Sequence, residues 1–271
     1  MKISIITIVY NRKNCIADCI QSVLDQTYHD IEHIIIDGGS TDGTQEVIEK
    51  YRDKIAFYLS EKDEGVFDAY NKGIRNATGD VIGVLNSDDF FFEPETIEKI
   101  AEAFSFSGAD LVYAKGLFVD KEDLSKIKRK YPSKSFRKRY LSYGWIPLHT
   151  TIFVRREIFS NYGLYNHGYK IASDYEISLR WFNNDHIKKF FLNEWVVKMR
   201  LGGLSTSARL QVRKSREDLR IIKLYRLNGL FTLACKIGRK IPQYLVPQSK
   251  EFFGFPWMKL SAVFKPHLVK K

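Results

Sequence analysis

Two short apolar runs in this chain each end in a cluster of carboxylates. Ile34-Ile35-Ile36 leads into Asp37-Gly38-Gly39-Ser40-Thr41-Asp42-Gly43, and Val81-Ile82-Gly83-Val84-Leu85 leads into Asn86-Ser87-Asp88-Asp89. Adjacent Asp88 and Asp89 repel each other unless a cation or a set of donors neutralises them. Carboxylate oxygens are hard ligands that suit Mg²⁺ or Mn²⁺, with phosphates completing the shell. The chemistry this points to is the holding of a nucleoside diphosphate through a metal, with Asp89 as first candidate ligand and Asp88 as second. The glycine-rich turn lacks the Gly-Lys-Ser/Thr ending of a P-loop and the spacing of a dinucleotide fingerprint. It offers Asp37 as an acceptor for a base N–H, such as a pyrimidine imide, and Gly38 where a ring can approach the backbone.

Such clusters need a scaffold that gathers strand ends. Short apolar runs bounded by turn residues read as strands buried on both faces. Strands are expected at Lys2–Tyr10, Glu32–Asp37, Ile55–Leu59, Val81–Leu85 and Ala109–Ala114. Between them, Lys13–Gln26 carries Ile16, Cys19, Ile20, Val23 and Leu24 at helical spacing. Thr41 or Asp42 caps a second helix reaching Tyr51, Gly65 precedes a third over Phe67–Arg75, and Pro94 opens a fourth toward Phe104. This alternation predicts an α/β fold, with a Rossmann-like, mostly parallel central sheet and helices on both faces. Ligands of such sheets bind beyond the carboxyl ends of the strands, where both acidic clusters fall.

After Gly116 the pattern changes. Gly116–Tyr140 is polar and basic, a β-ribbon or mobile loop. Thr150–Val154, Ile187–Leu192 and Trp195–Arg200 read as strands, and Ala172–Phe182 as a helix beginning at Ser173-Asp174. Ser207–Leu227 reads as a long basic helix. No repeat or low-complexity tract is present.

The 271 residues suffice for one large domain, and 44% hydrophobic content is globular. Three cysteines, Cys15, Cys19 and Cys235, make no disulfide framework and no zinc site, which favours a reducing, cytoplasmic setting. Neither a signal peptide nor a spanning helix is expected. The net charge of +11 is concentrated at one end: from Arg200 onward there are 16 Lys and Arg against three Asp and Glu. A basic segment with apolar Leu219, Ile221, Ile222 and Leu230, followed by Phe252, Phe253, Phe255, Trp257 and Met258, suits peripheral contact with the inner face of an anionic membrane. The competing reading is a helix packed on the domain with a solvated basic face. A nucleic-acid partner is not expected, because no recognised binding motif accompanies the charge.

Five segments, in order, resemble glycosyltransferase family 2, nucleotide-sugar transferases with a GT-A fold. They are Ile5–Asn11, Asp37–Thr44, Ser60–Gly73, Ala77–Asp80 with Asn86–Asp89, and Ile171–Glu176. The resemblance implies that Thr7, Val9 and Asn11 line a nucleoside pocket and that Asp37 holds the base. It places Asp63, Asn71 and Lys72 near the base, ribose or diphosphate. Asp88 and Asp89 fall at the family's Asp-x-Asp metal motif, with Asn86 at its first acidic position. Asp174 matches the catalytic base; the structural alternative is a helix cap. His149 matches a histidine near the donor diphosphate or the acceptor. Arg180-Trp181 comes too soon after Asp174, and without the preceding glutamine, to imply processivity.

The expected function is an inverting transferase that moves a sugar from a nucleoside-diphosphate donor, a UDP-sugar by preference, with Mn²⁺ or Mg²⁺. The acceptor would be a saccharide hydroxyl, a lipid-linked saccharide for surface polysaccharide. The expected division is a nucleotide-binding half to about residue 115, an acceptor-binding half over 116–204 and a basic helical extension over 205–271. A nucleotidyltransferase would need a Gly-rich loop with Arg and Lys after the first strand, which Tyr10-Asn11-Arg12 does not supply. A non-catalytic scaffold would not need Asp88, Asp89 and Asp174 together.

Overall fold

The computed structural model describes residues 1–202 and 208–239. The expected alternation opens the chain: β1 (Ile3–Val9), α1 (Ile16–Leu24), β2 (Ile31–Asp37), α2 (Thr44–Glu49), β3 (Phe57–Ser60), α3 (Val66–Asn76) and β4 (Val81–Val84). The order β3-β2-β1-β4 is parallel throughout. Successive side chains go to opposite faces, as strand geometry requires. Ile6, Ile8, Ile34 and Ile36 pack with Phe67, Tyr70 and Ile74 of α3. Ile3, Ile5, Val9 and Ile35 pack with Ile16, Ile20 and Val23 of α1. Both faces are covered, so these strands read as unbroken apolar runs. The cap expected at Thr41 or Asp42 sits slightly later: Gly43, at φ 94°, leads into α2, and Asp42 Oδ1 accepts the Thr44 N–H at 3.0 Å.

The remaining elements are β5 (Phe90–Phe91), α4 (Thr96–Ser107), β6 (Leu111–Val119), β7 (Ile127–Tyr131), α5 (Arg139–Ser142), β8 (Ile152–Arg155), α6 (Arg156–Tyr162), α7 (Ser173–Asn183), β9 (Lys189–Arg200), α8 (Ala208–Leu224) and α9 (Gly229–Gly238). One nine-stranded sheet runs β3-β2-β1-β4-β8-β6-β9-β5, with β7 paired to β6 as the expected ribbon. Beyond β4 the sheet is mixed. β8 lies antiparallel to both β4 and β6, while β9 is parallel to β6. The two strands expected at 187–192 and 195–200 are one strand, β9, whose pairing with β6 shifts register around Lys115.

The long basic helix stops at Leu224, and Arg226 at φ 53° turns the chain into α9. Ile221 and Ile222 are fully buried in the cluster that holds Tyr175, Trp181 and Phe182. For these two residues the packed reading replaces the membrane-facing one, because the core of the second half needs α8 as a cover. Phe252, Phe253, Phe255, Trp257 and Met258 lie outside the described residues. Among the described residues, no helix is long and apolar enough to cross a membrane.

Candidate active site

The glycine-rich turn is tied together from within. Asp37 is fully buried, and its carboxylate accepts from Ser40 N–H at 3.0 Å, from Ser40 Oγ, and from Ser60 Oγ at 2.6 Å. Asn11, in a left-handed conformation at φ 51°, joins the same turn: its N–H donates to Ser40 Oγ at 2.8 Å and its Oδ1 accepts from Thr41 N–H at 2.9 Å. Asp37, expected to read a base, thus takes three donors from Ser40 and Ser60 within the fold. Thr7 and Val9 likewise turn into the core rather than into a pocket. Thr7 Oγ1 pairs with His33 Nε2 at 3.0 Å beneath α1. The open features here are Tyr10, whose ring is 59% exposed, and Asp63. Asp63 Oδ1 accepts Gly65 N–H at 2.8 Å, while Oδ2 lies where a Cβ on Gly38 would be. A side chain at Gly38 would displace the Asp63 carboxylate from that space.

Asn71 and Lys72 are also engaged. The Asn71 amide donates to Tyr165 O at 2.9 Å and to His167 Nε2 at 2.6 Å, and accepts from Tyr165 N–H at 3.0 Å. It bolts α3 to the 165–167 loop of the second half and has no donor left for a nucleotide. Lys72 Nζ pairs with Glu61 at 2.7 Å and Asp68 at 3.2 Å. Lys72 also donates to Lys62 O at 3.3 Å and so holds the loop that carries Asp63.

The Asn86–Asp89 loop treats its two carboxylates differently. Asp89 is 1% exposed and accepts from Asn86 Nδ2 at 2.8 Å. Burial, and then the neighbouring Asp88 charge, push the Asp89 carboxyl well above the ordinary carboxylate range. Asp88 is half-buried, and its carboxylate takes no hydrogen bond among the described residues. Asn86 is wedged in place by the Tyr70 hydroxyl on Oδ1 and by Cys19 Sγ on its carbonyl at 3.3 Å. The pair fits a divalent cation: a dication relieves the repulsion that burial magnifies, and Asp88 has oxygens free to bind it. No group of three or more His, Cys, Asp or Glu side chains suited to a metal occurs among the described residues. The protein thus supplies a carboxylate pair, and diphosphate oxygens and water would supply the rest, as Mg²⁺ sites commonly do. Asp89, expected as the first ligand, is the buried member of the pair, and Asp88 is the one whose carboxylate takes no hydrogen bond among the described residues.

Asp174 belongs to the other half of the chain. It sits in the first turn of α7, where Ala172 occupies the cap position, so Asp174 is not the cap. Its Oδ1 accepts from Tyr175 N–H at 2.8 Å, and Oδ2 faces His149 Nδ1 at 3.7 Å. Burial would raise its carboxyl, but the charges of Lys214 and Lys236 and the Tyr175 N–H bond help to hold it below the ordinary range. Burial lowers His149, which favours a neutral ring. The charges of Asp89, Asp174 and Asp88 all bear on the buried Tyr70 phenol. Burial first, and then the charges of Tyr165, Asp89, Asp174 and Asp88, raise that phenol well above its ordinary value. Arg180 packs as expected, donating to Glu176 and to the carbonyls of Tyr162, Gly163 and Leu164.

The sheet order, the acidic strand-end loop and the facing carboxylate have counterparts among known proteins. The profile described as Glycosyl transferase family 2 matches residues 4–163. The chain belongs to that family. A Rickettsia prowazekii protein named an uncharacterized glycosyltransferase is 30% identical over 225 residues, covering 80% of this chain and 70% of its own. A PGL/p-HBAD biosynthesis glycosyltransferase of Mycobacterium bovis is 29% identical over 212 residues, covering 75% and 79%. Staphylococcus aureus TarS 1–349, solved with UDP-GlcNAc, superposes with a TM-score of 0.63 at 19% identity, over 87% of this chain and 69% of that one. This chain spans 39% of the longer TarS chain. The mannosyltransferase PcManGT of Pyrobaculum calidifontis, solved with GDP-Man and Mn²⁺, gives 0.65 at 15% identity, over 96% and 78%. At these identities the structures establish the GT-A fold and nothing finer.

Family 2 motifs did not reveal Glu217. This α8 residue is buried, and its carboxylate accepts the N–H groups of Lys170 at 3.2 Å, Ile171 at 2.9 Å and Ala172 at 3.0 Å. It caps α7 from outside and so fixes the turn that carries Asp174. A lone Glu on a basic helix gave no sequence signal of this. Lys236 of α9 was missed too: it pairs with Asp218 at 2.6 Å and lies 3.2 Å above the Tyr175 ring.

Proposed function

We propose that this family 2 member is an inverting hexosyltransferase that moves a sugar from a nucleoside-diphosphate donor, UDP-linked by preference, to a saccharide hydroxyl. The observation that carries the reading is the acidic pair Asp88-Asp89 at the end of β4, tied to the Tyr70 hydroxyl through Asn86, together with Asp174 facing His149 from α7. Asp174 accepts the proton of the acceptor hydroxyl as that oxygen attacks the anomeric carbon. Its depressed pKa keeps it ionised at neutral pH, and neutral His149 takes no proton from it. General-base help of this kind is worth roughly 10²–10⁴-fold. Asp88, with Asp89 behind it, would hold Mn²⁺ or Mg²⁺, which when bound supplies charge neutralisation for the departing diphosphate. Asp63 Oδ2 takes the base-reading role expected of Asp37, with the Tyr10 ring beside it as a wall for the nucleoside.

The donor preference draws support from TarS, solved with UDP-GlcNAc, although PcManGT was solved with GDP-Man. The named role of the mycobacterial relatives in PGL/p-HBAD biosynthesis supports a lipid-linked acceptor, here for surface polysaccharide. The division of labour follows: residues to about 115 hold the donor, and 116–204 hold the acceptor, with α8 and α9 as its cover. We place the enzyme in the cytoplasm with peripheral membrane contact. Leu230, Phe231 and Ile237 face outward from α9 beside a strongly basic sequence. Donor turnover with Mn²⁺ tests the reaction. Nucleoside diphosphate release supports the transferase, pyrophosphate release marks a nucleotidyltransferase, and no release with any nucleotide sugar marks a scaffold.

A further inference from the structure

A cavity of about 330 Å³ opens on the second half of the molecule, lined by Lys134, Arg139, Tyr140, Tyr143, Trp145 and Arg239. None of the residues assigned above to donor or metal belongs to it. Its lining holds three cations and three aromatic rings, and no carboxylate. Lys134 Nζ lies 3.8 Å over the Tyr140 ring, and Tyr140 meets Trp145 edge-on at 5.8 Å between centroids. Tyr143 is 52% exposed, whereas Trp145 is buried.

Arg239 is the telling residue. Its Nη2 donates to Gly144 O at 2.8 Å, but Nε and Nη1 are buried and meet no acceptor among the described residues. Buried donors left without partners are costly, and a phosphate has oxygens enough to accept from donors on different edges of a guanidinium. Gly144, at φ 63°, lets α9 come close: a Cβ there would lie 2.6 Å from Lys236 Cβ. This contact seats Arg239, one turn beyond Lys236, against the cavity. Lys236, one turn before Arg239, lies 3.2 Å over the ring of Tyr175, the residue after Asp174, so α9 joins the cavity to α7.

We propose that this cavity binds a glycosyl phosphate, the phosphorylated sugar head of the acceptor. Arg239, with Lys134 and Arg139, takes the phosphate, and the Tyr143 and Trp145 rings take the apolar face of the sugar. At about 330 Å³ the space lies at the small end of ligand pockets, which run roughly 300–1,000 Å³, so it suits one sugar with its phosphate and excludes a long glycan. The inference rests on the transferase reading above and extends it to the acceptor.

The test uses the full chain saturated with UDP, so that the donor site is filled. Titration calorimetry with glucose 1-phosphate should show binding, and free glucose should bind at least tenfold more weakly. Arg239→Gln should weaken glucose 1-phosphate at least tenfold, and Arg239→Lys should fall between, because an ammonium keeps the charge but offers fewer donors. Tyr143→Ala, at an exposed ring, should weaken it severalfold in a chain of unchanged melting temperature. Release of UDP from the donor without acceptor should not change in any of these variants. That measurement separates failure here from failure of the transferase reading. No binding to the UDP-saturated chain, or equal binding to Arg239→Gln and Tyr143→Ala, overturns the site. A short polyprenyl-diphosphate sugar in micelles should compete with glucose 1-phosphate. If it does not, the acceptor assignment fails and the site serves a free sugar phosphate.

Discussion

The two acidic loops that flank β1 look alike in sequence, yet the fold uses them in opposite ways. In the Asp37–Thr44 turn the carboxylate is spent on folding: buried Asp37 is saturated by Ser40 and Ser60. In the Asn86–Asp89 loop the inner carboxylate is buried and pushed up, and the outer one, Asp88, is left unengaged. A carboxylate at a strand end is thus only a candidate. What makes it a ligand is having acceptors that the chain itself has not filled.

Predictions that break or sharpen this contrast run from large effects to small. Asp174→Asn should lower sugar transfer by roughly two to four orders of magnitude while leaving donor affinity and melting temperature near wild type. Because Asp174 is held below its ordinary value of 3.8, its ionisation should cost no activity between pH 7 and pH 5. An activity loss in that window that disappears in Asp174→Asn would show that Asp174 titrates there and would overturn its lowered pKa. Asp88→Asn should reduce metal-dependent turnover by roughly 10²–10³-fold, the worth of several kcal/mol of charge stabilisation. Turnover at wild-type level with unchanged Mn²⁺ dependence would return the ligand role to Asp89.

A third carboxylate extends the contrast to a site with no chemistry. Glu32 ties β2 to Ser4, Thr78 and Lys2. Burial alone would raise its pKa, but these bonds bring it down to about 2 from 4.5. Its stabilisation is therefore full above pH 4.5 and is lost as the pH falls toward 2. Glu32→Gln should cost about 3 kcal/mol at most at pH 7, and urea midpoints of the two chains should converge on acidification. The smallest effect is that of Asp37→Ala. It should destabilise by about 1–3 kcal/mol through the donors it strands, with donor dissociation constants within about threefold of wild type. A tenfold loss of donor affinity at unchanged stability would erase the distinction between the two loops.

What the sequence determined by itself was the first half and its motifs. Strands β1 to β4 and the helices between them follow from periodicity over a few residues, and periodicity is a local property. The family pattern, and the pairing of Asp88 with Asp89, were legible for the same reason. The tertiary structure decided which of the named residues remain free. Asp37 is closed by Ser60, 23 residues away, and Asn71 is taken up by Tyr165, 94 residues away. The turn before Asp174 is fixed by Glu217, 45 residues beyond Ala172. The reversal of β8, the single course of β9 and the seating of α8 and α9 were likewise unreadable, because each depends on partners distant along the chain. A side chain's type says which bonds it can make. Only the assembled fold says which of them are already made.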